Sequence, residues 1–356
     1  MTSFSTKQIA FHAFDTYTRL HPLTYYPGIL VIHGEARLAY HTQQENQRLD
    51  QLKALLLPWA QGEVSFPCTF KNYQCGGMGT AWLLLKGVFP EAEALVKHHA
   101  ELLMHEAPRG EQGIFTHPRP PQDLIFIDVA FAVTPFLLFA GLYFDESDWI
   151  NEAIDQVCKM ISLLRDPENN LLHQAKNYRR KGHMTQDHWS RGNGWGIFAL
   201  TELIQELPSD HPRYPEVAKE FQSLLNAIFA YQDDEGCWHQ ELTRPDSYVE
   251  TSGAGLFLYA LAAAQNKGLN NHSQQIEQLL QGLRGLSRYI ALDGSIHHTS
   301  QGCLSPGEGT IADYMARGPQ VNDRHAFGPV SLAFGQAYIN GLSDLPSPPP
   351  STQNQT

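Results

Sequence analysis

The segment Trp189-Ser190-Arg191-Gly192-Asn193-Gly194-Trp195 sets an arginine between two tryptophans on a backbone carrying two glycines. A guanidinium fork grips a carboxylate through two parallel hydrogen bonds, and an indole face offers a flat apolar surface against which a sugar ring can lie. Together they suggest a site for an acidic sugar. Trp195 also heads the apolar run Ile197, Phe198, Leu200, Leu203 and Ile204, so core packing competes as its role, and Gly192 and Gly194 read as a turn leading into that helix. Core packing alone has no use for an arginine held between two such aromatics.

Asp128 is the second candidate. Leu124-Ile125-Phe126-Ile127 precede it and Val129-Ala130-Phe131-Ala132-Val133 follow. A desolvated carboxyl has its pKa raised, the condition for a general acid near neutral pH. The same spacing fits a cap on a helix running to about Tyr143. Between these two candidates lies Lys176-Asn177-Tyr178-Arg179-Arg180-Lys181, the densest positive cluster, read as a solvated loop placed to draw an anion towards Arg191. Further on, Trp238 and His239 precede Ser247-Tyr248-Val249-Glu250, whose S-x-x-E spacing is that of a capping box and makes Glu250 structural. The 17 histidines include no H-E-x-x-H or other tight ligand spacing, so neither metal nor cofactor is expected.

These residues need elements to hold them. Apolar residues recur at helical spacing, predicting helices near 5–19, 27–42, 45–61, 74–88, 91–106, 123–143, 147–165, 192–206, 213–231, 250–265, 272–290 and 326–340. Strand signals are scarce. The loops carry a second regularity: Gly113-Ile114-Phe115-Thr116-His117, Asn170-Leu171-Leu172-His173-Gln174, Gly236-Cys237-Trp238-His239-Gln240 and Gly294-Ser295-Ile296-His297-His298 each run from a turn residue through apolar residues to histidine. The first histidines of these segments lie 56, 66 and 58 residues apart, about one helical hairpin with its loops. An open solenoid would join its helices by short loops. Here every other connection is long, as in 166–191 and 232–249, which favours an all-α (α/α)6 barrel: six hairpins closed into a ring with the long loops around one central pocket. One such domain is expected over 1–344, with the proline-rich segment 345–356 as a tail that joins no core.

With 25 Lys plus Arg against 37 Asp plus Glu, the net charge of −12 disfavours nucleic acid or an anionic membrane as partner, so an anionic ligand must be held by a local cluster. Five cysteines without a C-x-x-C pair indicate neither a disulfide framework nor a zinc knuckle. Neither a signal-peptide pattern nor a run of about 18 apolar residues occurs, and a cytoplasmic location is expected.

Taken together, the Trp189–Trp195 motif, Tyr231-Gln232-Asp233-Asp234-Glu235-Gly236-Cys237-Trp238-His239-Gln240 and Tyr248-Val249-Glu250-Thr251-Ser252-Gly253-Ala254 resemble the unsaturated rhamnogalacturonyl hydrolases, glycoside hydrolase family 105, to which the unsaturated glucuronyl hydrolases of family 88 are related. The resemblance extends from about Asp123 to Tyr338 and ends with Gly318-Pro319-Gln320-Val321-Asn322-Asp323 and Gly328-Pro329. It implies a six-hairpin barrel that removes a 4,5-unsaturated uronic acid from the non-reducing end of an anionic oligosaccharide left by a lyase. Asp128, in Phe126-Ile127-Asp128-Val129-Ala130-Phe131 before Pro135-Phe136, matches the family's catalytic aspartate. His173, Trp189, Arg191 and Trp195 match positions that line the substrate pocket, with Arg191 on the uronate carboxylate; Trp238 and His239 are further candidate contacts. The pattern departs in one place. Relatives often carry a second aspartate in the N-terminal part of the barrel, yet this chain has no Asp or Glu between Glu63 and Glu91, and Asn72 or Gln74 would have to make that contact. Three rival readings remain: an unsaturated glucuronyl hydrolase acting on a different disaccharide, a sugar epimerase on the same barrel using His239 and His297, and a glycan-binding helical-repeat protein without catalysis.

Overall fold

The computed structural model describes residues 5–23, 27–42, 47–63, 77–117, 121, 123–269, 272–302 and 307–345. Six helices form a closed inner ring: α2 (Gly28–His41), α4 (Met78–Leu85), α6 (Asp128–Phe144), α8 (Ser190–Glu206), α10 (Thr251–Asn266) and α13 (Phe327–Ile339), each packed on the next and α13 back on α2. Around them lie α1 (Thr6–Leu20), α3 (Arg48–Ala60), α5 (Glu93–Glu106), α7 (Ser147–Leu164), α9 (Tyr214–Phe229) and α11 (Ser273–Ser287). This is the (α/α)6 barrel expected from the sequence. The two layers differ in composition for a physical reason. Inner helices such as α6, DVAFAVTPFLLFAGLYF, are apolar all round because they are covered on all sides. Outer helices such as α7 bury one face, here Trp149, Ile150, Ala153, Ile154, Val157, Met160, Ile161 and Leu164. The ring closes where the Thr6 amide donates to the Ser343 carbonyl, 2.9 Å away.

Close approach of the inner helices depends on small residues near their N-terminal ends. An ideal Cβ on Gly253 would stand 2.0 Å from Ser190 Oγ, one on Gly255 2.7 Å from Pro329 Cβ, and one on Gly328 2.5 Å from Leu30 Cβ. These contacts pair early residues of neighbouring helices, so the N-terminal ends of α2, α8, α10 and α13 gather at one end of the ring.

The repeated loop motif has a common geometry. Gly113, Asn170, Gly236 and Gly294 all take a left-handed conformation, with φ of 76°, 62°, 84° and 85°. The chain reverses there after each of α5, α7, α9 and α11. In three of the four, the apolar residue that follows pairs back across the turn: Phe115 with Arg109, Leu172 with Arg165, Ile296 with Ile290.

Three features differ from the sequence expectation. The helix expected from 123 starts only at Asp128, because β1 (Ile125–Phe126) pairs antiparallel with β2 (Ala175–Lys176), and the Ile127 amide donates to the Gln174 carbonyl at 3.1 Å. Gly192 and Gly194 sit inside α8 rather than in a turn before it. A five-residue helix, α12 (Ile311–Met315), is nucleated by a capping box between Thr310 and Asp313, while β3 (Thr299–Ser300) and β4 (Pro319–Gln320) form a second small antiparallel pair.

Among the described residues, no helix is long and apolar enough to cross a membrane. Cys158 and Cys237 are buried free thiols.

Candidate active site

Asp128 is the first residue of α6; the cap position belongs to Ile127. The pairing of β1 with β2 brings Gln174 alongside, and its Nε2 donates to Asp128 Oδ2. Burial pushes the Asp128 carboxyl up to about 6, outweighing the opposing pull of Arg191, of a backbone N–H and of Gln174, while Asp187 adds to the rise. One helical turn on, Phe131 stacks on Trp195 with ring centroids 4.0 Å apart and planes 20° apart. This aromatic pair supplies the apolar wall behind the carboxyl.

Arg191 reaches the same place from α8. Its exposure is 1 %, and its Nη1 donates to Ser252 Oγ at 3.0 Å and to the Ser300 carbonyl at 2.8 Å. Both acceptors are held by Glu250, whose Oε1 accepts from the Ser252 amide (3.0 Å), the Ser252 hydroxyl (2.6 Å) and the Ser300 amide (3.0 Å), and whose Oε2 accepts from the Gly253 amide (2.7 Å). Glu250 is therefore structural, as its sequence context suggested, but by a different device: it is itself the cap of α10, while the Ser247 hydroxyl is engaged by the Glu241 amide and the Arg244 carbonyl.

The other edge of the guanidinium, Nε and Nη2, is buried without a partner among the described residues. Leaving two charged donors unsatisfied is costly, and a planar anion with two oxygens is the shape that satisfies them. The guanidinium carbon lies 4.5 Å from the centre of the Trp189 ring, which in turn stacks on Tyr314 at 5.3 Å and donates from Nε1 to Ser300 Oγ at 3.2 Å. Trp189 is thus a backing plate for Arg191, its exposure being only 1 %.

A layer of acids lies behind these groups. Asp187 is fully buried and accepts from the Trp189 amide at 3.3 Å; burial raises its pKa. Burial, with Asp187 as neighbour, also pushes the Glu241 carboxyl above the usual carboxylate range. On the far side His325 Nδ1 pairs with Asp323 Oδ1 at 2.7 Å, and burial together with Arg191 pushes His325 down to about 4.

Of the residues singled out in the sequence, Asp128, Arg191, Trp189 and Trp195 come together. His173 sits next to Gln174 in the chain but turns elsewhere: its Nδ1 lies 3.3 Å from the Asp187 carbonyl and its ring 5.1 Å from that of His188. Trp238 is fully buried in the barrel wall, edge-on to Phe229 and Phe257, with Nε1 donating to the Ile228 carbonyl at 2.9 Å. His239 is engaged by the Ser247 carbonyl, and its Nε2 lies 3.7 Å from Asp233. His297 is exposed, and the pairing with His239 considered for an epimerase finds no support in these contacts. Asn72 and Gln74 lie outside the described residues. In the basic run, Lys176 pairs with Glu111 at 2.6 Å and Arg179 donates to the Gly307 carbonyl at 2.6 Å, leaving Lys181 largely in solvent.

The sequence reasoning passed over Gln174, Ser252, Ser300, Asp187 and Tyr314. One signal for Gln174 was available. It follows the repeat histidine, as Gln240 does in the next hairpin, and neighbouring side chains in an extended segment point to opposite faces; both glutamines are fully buried.

The model of Glycosyl Hydrolase Family 88 matches residues 16–339. The unsaturated rhamnogalacturonyl hydrolase YesR of Bacillus subtilis (strain 168) is 25% identical over 248 residues, which cover 67% of this chain and 70% of that protein. Among solved structures, a possible member of the GH105 family from Salmonella enterica superimposes with a TM-score of 0.81 at 18% identity, covering 94% of both chains. The unsaturated glucuronyl hydrolase of Bacillus sp. GL1 does so with a TM-score of 0.68 at 14% identity, over 95% of this chain and 96% of that one.

Proposed function

Because this chain belongs to glycosyl hydrolase family 88, we propose that it releases a 4,5-unsaturated uronic acid from the non-reducing end of lyase-generated oligosaccharides, with unsaturated galacturonic acid on a rhamnogalacturonan disaccharide as first candidate. The observation that carries this reading is the juxtaposition of a half-buried carboxyl with a raised pKa and the Nε–Nη2 edge of Arg191, which has no partner among the described residues. Arg191 takes the uronate carboxylate and fixes the ring, with Trp189 holding the guanidinium in plane. Trp195 and Phe131 keep the neighbourhood of Asp128 apolar.

In the reaction, protonated Asp128 gives its proton to C4 of the enol ether and the C4=C5 double bond is lost. Water adds its oxygen at C5 and passes a proton to the Asp128 carboxylate, regenerating the acid. The resulting hemiketal opens by breaking C5–O5, which gives a ketone at C5 and leaves O5 as a hydroxyl on C1; that hemiacetal collapses to an aldehyde at C1, and the glycosidic oxygen leaves with the proton as the hydroxyl of the released sugar. One acid that becomes a base suffices, in contrast to the paired carboxylates of most glycosidases. The reading is tested by following the ultraviolet absorbance of the C4=C5 bond with a panel of lyase-generated disaccharides. Loss of absorbance with wild type and none with Asp128→Asn is expected; retained absorbance across the whole panel would overturn it and leave a glycan-binding role.

A further inference from the structure

Asp166, His173 and His188 come from three segments: the turn after α7, the stretch leading into β2, and the residue before Trp189. One ligand-type atom from each lies within 4.8 Å of the other two. Asp166 Oδ2 is 2.9 Å from His188 Nε2 and 4.0 Å from His173 Nε2, and all three side chains are no more than 16 % exposed.

Hydrogen bonds around the cluster fix which atoms carry protons. His173 Nδ1 lies 3.3 Å from the Asp187 carbonyl, which only accepts, so Nδ1 is the protonated nitrogen and Nε2 presents a lone pair to Asp166. Asn169 Oδ1 accepts from the Leu171 amide at 2.8 Å, which orients its Nδ2 towards His188 Nε2 at 3.3 Å and Asp166 Oδ2 at 3.4 Å. His188 Nε2 lies closer still to Asp166 Oδ2, at 2.9 Å, and since a carboxylate oxygen only accepts, Nε2 donates there when no cation is bound. Release of that one proton leaves two imidazole lone pairs and a carboxylate oxygen facing one point, the exchange by which a divalent cation enters such a set.

We infer that Asp166, His173 and His188 form a binding site for a zinc-class divalent cation, with a fourth position left to water, which ties together the segments that carry Gln174 and Arg191. Two imidazoles and one carboxylate suit Zn²⁺, Co²⁺ or Ni²⁺ and not Mg²⁺, which takes oxygen ligands. Tetrahedral bonds of about 2.0–2.1 Å put ligand atoms roughly 3.3 Å apart, within the spread found here. The Nδ1–H bond of His173 to a backbone carbonyl is the outer hydrogen bond that a metal-ligating histidine ordinarily makes. Metal spacing was absent from the sequence because the three ligands are brought together by the reversal at Asn170 and by the start of α8, not by neighbouring positions in one helix.

The competing arrangement is a plain pair in which His188 Nε2 keeps donating to Asp166; it binds no metal. The two are separated with the untagged full chain, stripped by a chelator and titrated with ZnCl₂ by calorimetry and with CoCl₂ by visible absorbance, readouts that do not depend on turnover. One cation per chain, a cobalt spectrum of tetrahedral intensity, a zinc-dependent rise in Tm and no response to Mg²⁺ are expected. Outer hydrogen bonds alone are worth about 10–100-fold in metal affinity, so Asp166→Asn and His188→Gln should each weaken binding by more than about tenfold. The surface variant His98→Gln should leave it unchanged. Absence of a saturable one-to-one site in wild type overturns the inference, as does undiminished binding in whichever of the two ligand variants folds by circular dichroism.

Discussion

The side-chain oxygen of Gln174 occupies the space that a β-carbon on Gly192 would need: an ideal Cβ there would stand 2.3 Å from Oε1. Gly192 follows Arg191 directly, so its missing side chain lets Gln174 lie against α8 and donate to Asp128. Gly192→Ala and Gln174→Leu should therefore act alike. Each is expected to lower kcat roughly 10- to 100-fold through misplacement of the acid. Because the Gln174 bond favours the ionised form of Asp128, its loss also moves the descending limb of the rate–pH profile to higher pH. An unmoved limb in both variants would separate Gln174 from the acid.

Asp128→Asn should trade activity for stability. Turnover falls by about 10²–10⁴ or more when a general acid is removed. The carboxyl rises from its ordinary value of 3.8 to about 6 in the folded chain. Between those values the folded state binds more protons than the unfolded one, so stability falls as pH rises through that window, and above about 6 the full cost is present. Removing the charge recovers at most about 3 kcal/mol, less for the water that reaches a half-buried group. A higher Tm than wild type at pH 7, shrinking towards zero near pH 4, is the expected melting result.

Arg191→Ala should weaken substrate capture by about 2–5 kcal/mol, read as a raised KM or dissociation constant for an unsaturated disaccharide. Arg191→Lys should recover little, since an ammonium cannot present the side-on pair of donors that Nε and Nη2 offer. Wild-type kinetics in either variant would remove Arg191 from the proposed role.

Glu250→Ala removes a helix cap and strands the Ser300 amide and Ser252 hydroxyl. The cap alone is worth about 1–2 kcal/mol, and a buried unsatisfied donor costs about 1–3 kcal/mol more. Urea unfolding should show a loss of at least about 2 kcal/mol. Substrate binding weakens as well, because Ser252 and the Ser300 carbonyl no longer fix Arg191.

The barrel was legible because its two signals are local: helical spacing of apolar residues, and a left-handed turn residue recurring after each of four outer helices. Asp128 and Arg191 stood out because an acid amid apolar neighbours and an arginine between tryptophans are each out of place in a core, although spacing alone left Asp128 open between an acid and a helix cap and the family resemblance chose the acid. Trp238, next to His239, carried the same chemical promise, but in the folded chain its indole N–H goes to a helix carbonyl. Gln174, Ser252 and Ser300 escaped notice because their roles depend on pairings across 46, 61 and 109 residues. Gly192 was read as a turn because sequence shows that a side chain is missing but not which neighbour needs the room.

The gathering of the N-terminal ends of α2, α8, α10 and α13 at the mouth has an electrical consequence. Each helix start carries about half a positive charge from its aligned peptide units, so the ring builds a fixed positive potential at one end of a chain whose net charge is −12. Peptide dipoles do not titrate. On the proposed function, the pull on a uronate is therefore set by backbone geometry and should persist at the alkaline pH where Asp128 has lost its proton, so that alkalinity is expected to leave a substrate held in place and unconverted.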